Sequence, residues 1–577
     1  MTSGFLKSLA FIGSCCLLAP LGSVADGLQI KGLEGELADN ARAFVSLGNE
    51  NCDSARWIVQ RRFTQMEKEL RESLQPFGYY SPVIETSLER NAACWSALAT
   101  VAPGEPVRIS ELNLSVAGAA KQDGAFAPLL GSPSLRIGQV LDHRRYESTK
   151  SAWFGLALER GYFRATWEKS ALDVWPETHS AKVSLELNSG PRFTFGDIEL
   201  QQDILDDDVI ARYIKLQSGQ NYLADDLARL QRNLNASGYF ESVRVLPRIS
   251  AKSSTEVPVE VALTPAQRTS YRLGLGFSSD TGPRFRGGYD NRRINRRGHQ
   301  LSSDLRVSSV LSELSANYRR PLRDPSVEWL SYSLGLQAED TETSESQSYS
   351  LGMRRVVRLG SDWLRTDGLS LQFDEFTVGS LSEDSRLLMP SIGFSRKSSN
   401  SRVNPLDGTS LRFQLRGASD SLASSTSFAQ LSGQFKWIKS LGGAQRLLAR
   451  VSFGTTLKDD FDELPPSVRF FAGGNESVRG FGFEQLGPED NEGLVIGGSH
   501  LLTASLEFER TFYKQFSWAA FVDAGNAFDG TQLEARVGAG LGLKWRSPLG
   551  PLRVYLAHPL NYSTRAVRLH ISLGPDL

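Results

Sequence analysis

The hydrophobic positions of this chain follow two different periods, and the period changes near residue 266. Before that point, apolar residues recur every three or four positions, as Leu227, Leu230 and Leu234 do, which is the spacing of one buried helix face. After it, apolar and polar residues alternate, which is typical of strands with two different faces. The pattern therefore predicts an α+β N-terminal part followed by an all-β C-terminal part.

One short pattern occurs three times in the N-terminal part. It reads LRESLQPFGYY at 70–80, FGLALERGYF at 154–163 and LQRNLNASGYF at 230–240. Its glycines are Gly78, Gly161 and Gly238, which lie 83 (161 minus 78) and 77 (238 minus 161) residues apart. A period near 80 residues indicates tandem small domains.

The third copy shows how one repeat is built. Gly238 follows a helical segment, in the position where a left-handed glycine ends a helix. Tyr239 and Phe240 then open a strand, and a second strand alternates through Val257 and Val259. Each repeat is therefore predicted to fold as one strand, two helices and two strands. Small sheets of this kind have edge strands that can pair with an extended chain, and a plain spacer role is the alternative.

Alternation in the C-terminal part is clearest from Ala535 to Arg546. The apolar side chains Val537, Leu541 and Trp545 share one face, and glycine, lysine and arginine fill the other. A soluble antiparallel sheet also alternates, but arginine and glycine on the polar face of many strands suit a water-filled lumen with apolar residues facing lipid. The 312 residues from 266 to 577 (577 minus 265) fit roughly 16 strands of about 10 residues with their connections. The fold class is therefore predicted as an α+β arm followed by a 16-stranded antiparallel transmembrane β-barrel.

Composition narrows the function classes. The chain has 577 residues, is 40% hydrophobic and 22% charged, and carries a formal net charge of -1, so it is neither disordered nor basic enough to suggest nucleic acid. Beyond the N-terminus there is no apolar run of about 18 residues, so no transmembrane helix is expected. The six histidines have no metal-ligand spacing, and no nucleophile or phosphate-loop motif occurs. We therefore expect no enzyme activity, no cofactor and no metal.

The N-terminus is predicted to be a secretory signal peptide, residues 1–25. An apolar stretch follows one early lysine, and the small residues 23–25 suit cleavage. A signal anchor and a lipobox ending at Cys15 are the alternatives. Export leaves Cys52 and Cys94 in an oxidising compartment, so one disulfide is predicted between them, with two buried free thiols as the alternative.

The most informative segment is RFFAGGNESVRGFGFEQLGP at 469–488, within the longest connection of the C-terminal part, 456–498. The next strand contains one glutamate between apolar neighbours, and the strand after it contains the sequence FVDAG at 521–525. Alternation turns the apolar residues of both strands toward lipid and their neighbours toward the lumen. The side chains predicted to face the lumen are Glu507, Phe521, Asp523 and Gly525.

Together these features resemble the superfamily of POTRA-bearing outer-membrane barrels, where POTRA stands for polypeptide-transport-associated. The repeats resemble POTRA domains at 26–103, 104–190 and 191–265, followed by a barrel at 266–577. Val478-Arg479-Gly480-Phe481 resembles the VRGF motif of that superfamily, and residues 521–525 match its F-x-D-x-G pattern.

The resemblance implies that the connection 456–498 is a lid loop, which folds back into the lumen and brings Arg479 to acidic residues on the barrel wall. Glu507 and Asp523 are the expected partners, since a guanidinium can bridge two carboxylates with fixed geometry. At about 4 Å and an effective dielectric near 20, each contact is worth roughly 4 kcal/mol before desolvation. A surface loop that contains the motif by chance is the alternative.

Within the superfamily, three POTRA-like domains, the lack of an obvious plug helix and the closing residues LGPDL at 573–577 resemble the TamA family, the barrel subunits of the translocation and assembly module. That resemblance implies a TamB-like, inner-membrane-anchored, β-rich partner, with autotransporters and other nascent outer-membrane proteins as clients. It also implies contact with outer-membrane lipid, and a monomeric barrel in the outer membrane with its POTRA arm in the periplasm.

A route for clients is predicted at the seam, the junction between the first and last strands of the barrel. The first strand, 270–278, contains Gly274 and Gly276, and the last contains Gly574. Because glycine weakens a strand ladder, we expect the seam to open sideways and to offer an edge to a client strand. The alternatives are a secretion pore through the lumen and a docking platform for phospholipid transport between membranes.

Overall fold

The computed structural model describes residues 27–90, 94–131, 134–249, 254–360, 362–401, 405–547, 550–561 and 567–573. The predicted signal peptide, 1–25, and the seam glycine Gly574 lie outside these residues. Within them, no helix combines the length and the hydrophobicity needed to cross a membrane. The chain forms two compact units, the first mainly from residues up to Ile198 and the second mainly from Glu260 onward.

The first α/β domain has the order of elements predicted from the first repeat. Its strands and helices are β1 Leu28–Lys31, α1 Gly35–Phe44, α2 Arg56–Leu74, β2 Val83–Arg90 and β3 Trp95–Ala102. The strand order is β1-β3-β2, with β1 parallel and β2 antiparallel to β3. Every second residue of β3 is buried, and the helices cover that face with Met66, Leu70 and Leu74.

The predicted disulfide between Cys52 and Cys94 is confirmed, with their Cα atoms 4.6 Å apart. It joins the segment before α2 to the residue before β3. Beside it, the Trp95 indole N–H donates to the Asn51 carbonyl at 3.0 Å. These two contacts hold the segment that precedes α2 against the sheet.

Two further α/β domains repeat the same order of elements. The second contains β4 Arg108–Ala117, α3 Ala127–Gly131, α4 His143–Glu159, β5 Thr166–Trp175 and β6 Ser180–Asn188. The third contains β7 Thr194–Gln201, α5 Asp207–Ala211, α6 Ala224–Ala236, β8 Phe240–Pro247 and β9 Glu256–Pro265. Their strand orders, β4-β6-β5 and β7-β9-β8, match that of the first domain.

The glycine of the repeated motif is required by its backbone conformation. Gly78, Gly161 and Gly238 have φ values of 90°, 82° and 78°, a left-handed region that other residues rarely adopt. Each ends a helical segment and turns the chain toward the next strand. At Gly161 a Cβ would also lie 2.7 Å from the Cβ of Tyr222, so space as well as φ excludes a side chain.

The described residues of the C-terminal part form a closed antiparallel barrel of sixteen strands, as the alternation predicts. Its strands are β10 Thr269–Ser278, β11 Gly282–Asn291, β12 Gln300–Ser308, β13 Leu311–Pro321, β14 Glu328–Asp340, β15 Ser344–Leu359, β16 Trp363–Val378, β17 Leu381–Ser399, β18 Gly408–Ala418, β19 Phe428–Gly442, β20 Gln445–Lys458, β21 His500–Tyr513, β22 Phe516–Phe528, β23 Arg536–Ser547, β24 Gly550–Pro559 and β25 Arg568–Leu573. Period-two alternation gives the wall an apolar outer face, on which Leu541 and Leu543 are 66% and 60% exposed.

The seam between β10 and β25 is the shortest ladder of the barrel in the described part of the chain. β10 pairs with β11 from Thr269 to Ser278, whereas its one described register pair with β25 joins Ser278 to Ser572. Gly274 and Gly276 lie in the part of β10 without a described partner on β25, and they face arginines of β11. Among the described residues, the backbone pairing of β10 with β25 is thus much shorter than its pairing with β11.

Replacing both bridged cysteines (Cys52→Ala with Cys94→Ala) is expected to lower the free energy of unfolding of the first domain by about 3–4 kcal/mol, because the bridge closes a loop of 42 residues. Hydrogen exchange of the β3 amides in the full chain measures this change. The β9 amides, whose domain contains no cysteine, provide the internal control. Equal protection of β3 in both proteins would contradict the prediction.

Candidate functional site

Residues 459–499 connect β20 to β21, starting three residues later and ending one residue later than the predicted connection 456–498, and they keep the name lid loop below. Its outer part packs on the barrel wall, where Leu464 and Val468 join Leu387, Met389 and Phe428 in one buried cluster. Its inner part turns back on itself into a small core of its own, formed by Ala472, Val478, Phe481 and Leu486. The loop is therefore a folded element with two packed regions.

Arg469 holds the outer part of the lid loop together. Its buried guanidinium donates to the carbonyls of Leu464 at 2.7 Å, Asp462 at 3.0 Å and Ile496 at 3.1 Å. Burial lowers the pKa of Arg469 to about 10, and the nearby carboxylates of Asp462 and Asp529 oppose that effect. The side chain stays charged at neutral pH and joins two distant segments of the loop.

Arg479 of the VRGF motif lies against both carboxylates that the sequence suggests as its partners. Its Nε and Nη2 donate to the two oxygens of Asp523 at 2.7 and 2.9 Å, and its backbone N–H donates to Asp523 Oδ2 at 3.0 Å. Its Nη1 donates to Glu507 Oε2 at 2.5 Å. All three side chains are at least nine-tenths buried.

Further wall residues complete the surroundings of this guanidinium. Ser505 Oγ lies 3.2 Å from Arg479 Nη2, and the ring centroids of Phe521 and Tyr555 lie 3.5 and 4.7 Å from its central carbon. The Tyr555 hydroxyl donates to Glu507 Oε1 at 2.7 Å. The carboxylates thus receive the hydrogen bonds that buried charges need, and the aromatic rings exclude water from the pair.

Glycines let the lid loop approach the wall this closely. A Cβ at Gly538 of β23 would lie 1.8 Å from the Arg479 carbonyl oxygen, so only glycine fits there. Gly480 has a φ of 101°, and its N–H donates to His570 Nε2 at 2.9 Å. Gly525 acts elsewhere, since a Cβ there would lie 2.2 Å from the Leu502 carbonyl oxygen of the neighbouring strand.

Several of these contacts have no local signal in the sequence. Ser505, Gly538 and Tyr555 each lie on an inward-facing strand position, but nothing near them in sequence marks them as neighbours of the lid loop. For Tyr555 the sequence does give an indication, because this tyrosine takes an inward position between outward apolar residues of β24. A histidine in the lumen, His570, is a hydrogen-bond partner of the VRGF motif.

We call Arg479, Glu507 and Asp523 the latch, because together they attach the lid loop to the barrel wall. Its central residue is a cation paired with two carboxylates, and both carboxylates are occupied by hydrogen bonds. In the described part of the chain, no group of three His, Cys, Asp or Glu side chains is arranged to hold a metal ion. The arrangement can hold a loop against the inner face of the barrel wall.

Models of known families match three parts of the chain. The Omp85 superfamily domain matches residues 268–575. A model described as POTRA domain TamA domain 1 matches residues 27–103, and a POTRA model described as surface antigen variable number repeat matches residues 193–265.

Two curated relatives are both named outer membrane protein assembly factor BamA. The protein of Nitratidesulfovibrio vulgaris is 21% identical over 374 residues, which cover 62% of this chain and 47% of the relative. The protein of Neisseria meningitidis is 23% identical over 477 residues, which cover 69% of this chain and 58% of the relative. The chain thus spans about half the length of the curated relatives it matches.

A solved structure, BamA from Haemophilus ducreyi lacking POTRA domains 1-3, is similar to this chain with a TM-score of 0.64 and 18% identity. The similarity covers 81% of this chain and 99% of that chain. At this identity the likeness shows a shared fold.

Removing the latch cation by Arg479→Met is expected to lower the free energy of lid-loop opening by about 3–5 kcal/mol, because two buried carboxylates lose their partner. Hydrogen exchange of residues 478–481 in lipid vesicles measures the opening. Adding Asp523→Asn and Glu507→Gln is expected to recover part of the loss, since no buried charge then remains unpaired. Arg365→Met is the matched control, because Arg365 and Asp367 form an exposed pair worth about 0–1 kcal/mol. Equal effects of Arg479→Met and Arg365→Met on this exchange would contradict the prediction that the ion cluster holds the lid loop.

Gly538→Ala is expected to displace the lid loop while leaving every charged residue in place, because the new Cβ would overlap the Arg479 carbonyl. The same exchange measurement should show faster exchange at residues 478–481. Gly274→Ala is the control, since its nearest neighbour would be the Arg286 Cβ at 3.8 Å. Unchanged exchange in a folded Gly538→Ala barrel would show that the close approach is not needed.

Proposed function

The chain belongs to the Omp85 superfamily, whose domain model covers more than half of it, and from that premise we propose that it is an outer-membrane biogenesis factor. It assists the insertion or secretion of outer-membrane proteins, and clients pair with the barrel at the seam between β10 and β25. The observation that carries the proposal is the seam itself. The described part of the chain pairs these two strands at a single register position, Ser278 with Ser572.

A strand with an unpaired edge binds another strand through its backbone. Residues 269–277 of β10 present N–H and C=O groups that, in the described part of the chain, β25 does not take. An extended client segment can satisfy them and lengthen the sheet by one strand. Since every backbone group inside a bilayer needs such a partner, an edge exposed by opening of the seam would be a strong template there.

The side chains of this edge also favour a client that enters lipid. Tyr271, Leu273 and Leu275 point outward and are 74%, 80% and 83% exposed. A client strand with alternating apolar residues would cover them and place its own apolar face toward lipid. The inward positions between them include Gly274 and Gly276, which leave room on the lumen side.

Within the superfamily we assign the chain to the TamA type. The match of residues 27–103 to the first POTRA domain of TamA supports this assignment. We place the domain boundaries at 26–103, 104–190, 191–265 and 266–577, and count the middle domain as a third POTRA domain because its strand order is that of its neighbours. The partner is then a TamB-like protein anchored in the inner membrane, and the clients include autotransporters.

The lid loop has a part in this function as the element that occupies the lumen. Arg479 and its carboxylates keep it there until a client or the partner displaces it. A secretion pore would need the same loop to leave the lumen for each passage. A docking platform for phospholipid transport needs neither displacement of the lid loop nor opening of the seam. The two alternatives therefore differ from the seam route in which part of the barrel must move.

Locking the seam by Ser278→Cys with Ser572→Cys is expected to reduce assembly of an autotransporter in vesicles at least tenfold after oxidation, because the edge of β10 is then covered. Gln434→Cys with Ser452→Cys is the matched control, since this pair belongs to the continuous ladder of β19 and β20. Both proteins receive the same oxidation and reduction, which corrects for reduction of the native disulfide. Full autotransporter assembly by the completely cross-linked protein would contradict the seam route. Lipid transfer that persists in that protein would favour the docking platform.

A further inference from the structure

One residue of the lid loop, Asn475, contacts both strands of the seam. Its Nδ2 lies within hydrogen-bond reach of Ser278 Oγ at 3.0 Å and Ser279 Oγ at 3.2 Å on the first-strand side, and of the Ile571 carbonyl oxygen at 3.2 Å on the last strand. Its backbone N–H donates to Asp280 Oδ2 at 2.8 Å. A single asparagine thus bridges the two strands at the place where their described pairing occurs.

His570 of β25 connects this asparagine to the VRGF motif. Its Nδ1 lies 2.7 Å from Asn475 Oδ1, and its Nε2 accepts the Gly480 N–H at 2.9 Å. Because an amide oxygen only accepts, Nδ1 carries the proton, and Nε2 is left free to accept. The neutral ring, 1% exposed, therefore continues the hydrogen-bond chain from the motif to the seam.

Among the described residues, two hydrogen bonds of the seam itself involve the groups that Asn475 contacts. The Ser279 N–H donates to the Ile571 carbonyl at 3.0 Å, and the Ile571 N–H donates to Ser279 Oγ at 3.2 Å. Asn475 shares that carbonyl and the same hydroxyl. A strand that pairs with the edge of β25 at Ile571 therefore has to displace Asn475 as well as β10.

A cavity of about 470 Å³ adjoins this contact on the lumen side. Its lining includes Ser278, Asn475, Glu484, Arg553 and Ser572, so the lid loop and both seam strands share it. The lid loop therefore does not fill the space beside its contact with the seam.

We propose that Asn475 is an interlock between the lid loop and the seam. While Arg479 holds the loop in the lumen, Asn475 keeps β10 and β25 together, and release of the loop removes that contact and lets the seam open. The interlock is an autoinhibitory contact that keeps the seam closed in the absence of a client or partner. It deepens the proposed seam route but is tested on the purified barrel without any client, so its failure leaves that route standing.

Spin labels on outward positions one strand away from the seam measure its opening. Phe285→Cys on β11 and Leu556→Cys on β24 suit this purpose, because both side chains are exposed on the outer face and neither belongs to a seam strand. The distance distribution between the labels, recorded in lipid vesicles, gives the ratio of open to closed seam. Heat-modifiable migration in gels confirms that each variant is folded before it is measured.

Four proteins form the test: the labelled parent, Asn475→Ala, Arg479→Lys and the two changes combined. Asn475→Ala removes two to three hydrogen bonds and is expected to raise the open-to-closed ratio roughly tenfold. Arg479→Lys loosens the latch and is expected to raise it by a comparable factor through the interlock. The combined variant is expected to match Asn475→Ala alone, since the side-chain contact by which the lid loop joins the two seam strands is already absent.

Two outcomes would overturn the interlock. One is an unchanged ratio in Asn475→Ala, and the other is multiplication of the two single effects in the combined variant, which would make lid loop and seam independent. If Arg479→Lys fails to fold, Gly538→Ala displaces the same loop segment and replaces it in the cycle.

Two matched variants separate the interlock from a general loss of stability. Asn475→Asp keeps an oxygen for His570 but loses the donors to Ser278 and Ile571, so it is expected to open the seam as Asn475→Ala does. Asn561→Ala removes an asparagine that accepts from the Val537 N–H and donates to the Ala535 carbonyl, neither of which belongs to the lid loop or to a seam strand, and is expected to leave the ratio unchanged. An equal effect of Asn561→Ala would count against the proposal.

Discussion

Every backbone N–H and C=O of a strand inside a bilayer needs a hydrogen-bond partner, because lipid supplies none. The barrel meets this constraint through continuous ladders between strands that follow one another in the sequence. At the seam the chain has to join its first and last strands, and the described pairing there is a single register position between Ser278 and Ser572. The proposed function and the interlock both concern this junction between the first and last strands.

The lid loop adds a second constraint, that of buried charge. A guanidinium and two carboxylates taken out of water are stable only while they stay together. Arg479, Glu507 and Asp523 meet this condition, because each charged group has hydrogen-bond partners of opposite charge or polarity. Removing Arg479 would leave two buried carboxylates without a cation, which makes the cluster a strong attachment of the lid loop to the barrel wall.

Hydrogen bonds connect the buried ion cluster to the seam. His570 accepts a hydrogen bond from the Gly480 N–H of the VRGF motif and contacts Asn475, which in turn contacts both seam strands. The lid loop, which the ion cluster holds, thereby contacts both strands of the junction. The α/β arm follows a simpler rule, since three domains of one topology reuse one left-handed glycine at the end of a helical segment.

The sequence by itself determined the features that depend on local periodicity. Alternation of two, the glycine repeat and the spacing of the strands predict the barrel, its strand number, the repeated α/β arm and the inward direction of Glu507 and Asp523, since the face of a side chain follows from its position along its own strand. Tertiary structure alone decided which inward residues meet. Ser505, Gly538, Tyr555 and Asn475 become neighbours of the latch or the seam only through the stagger of strands around the closed barrel and the path of the lid loop. Both are set by pairing between segments far apart in the chain, and no local pattern encodes that pairing.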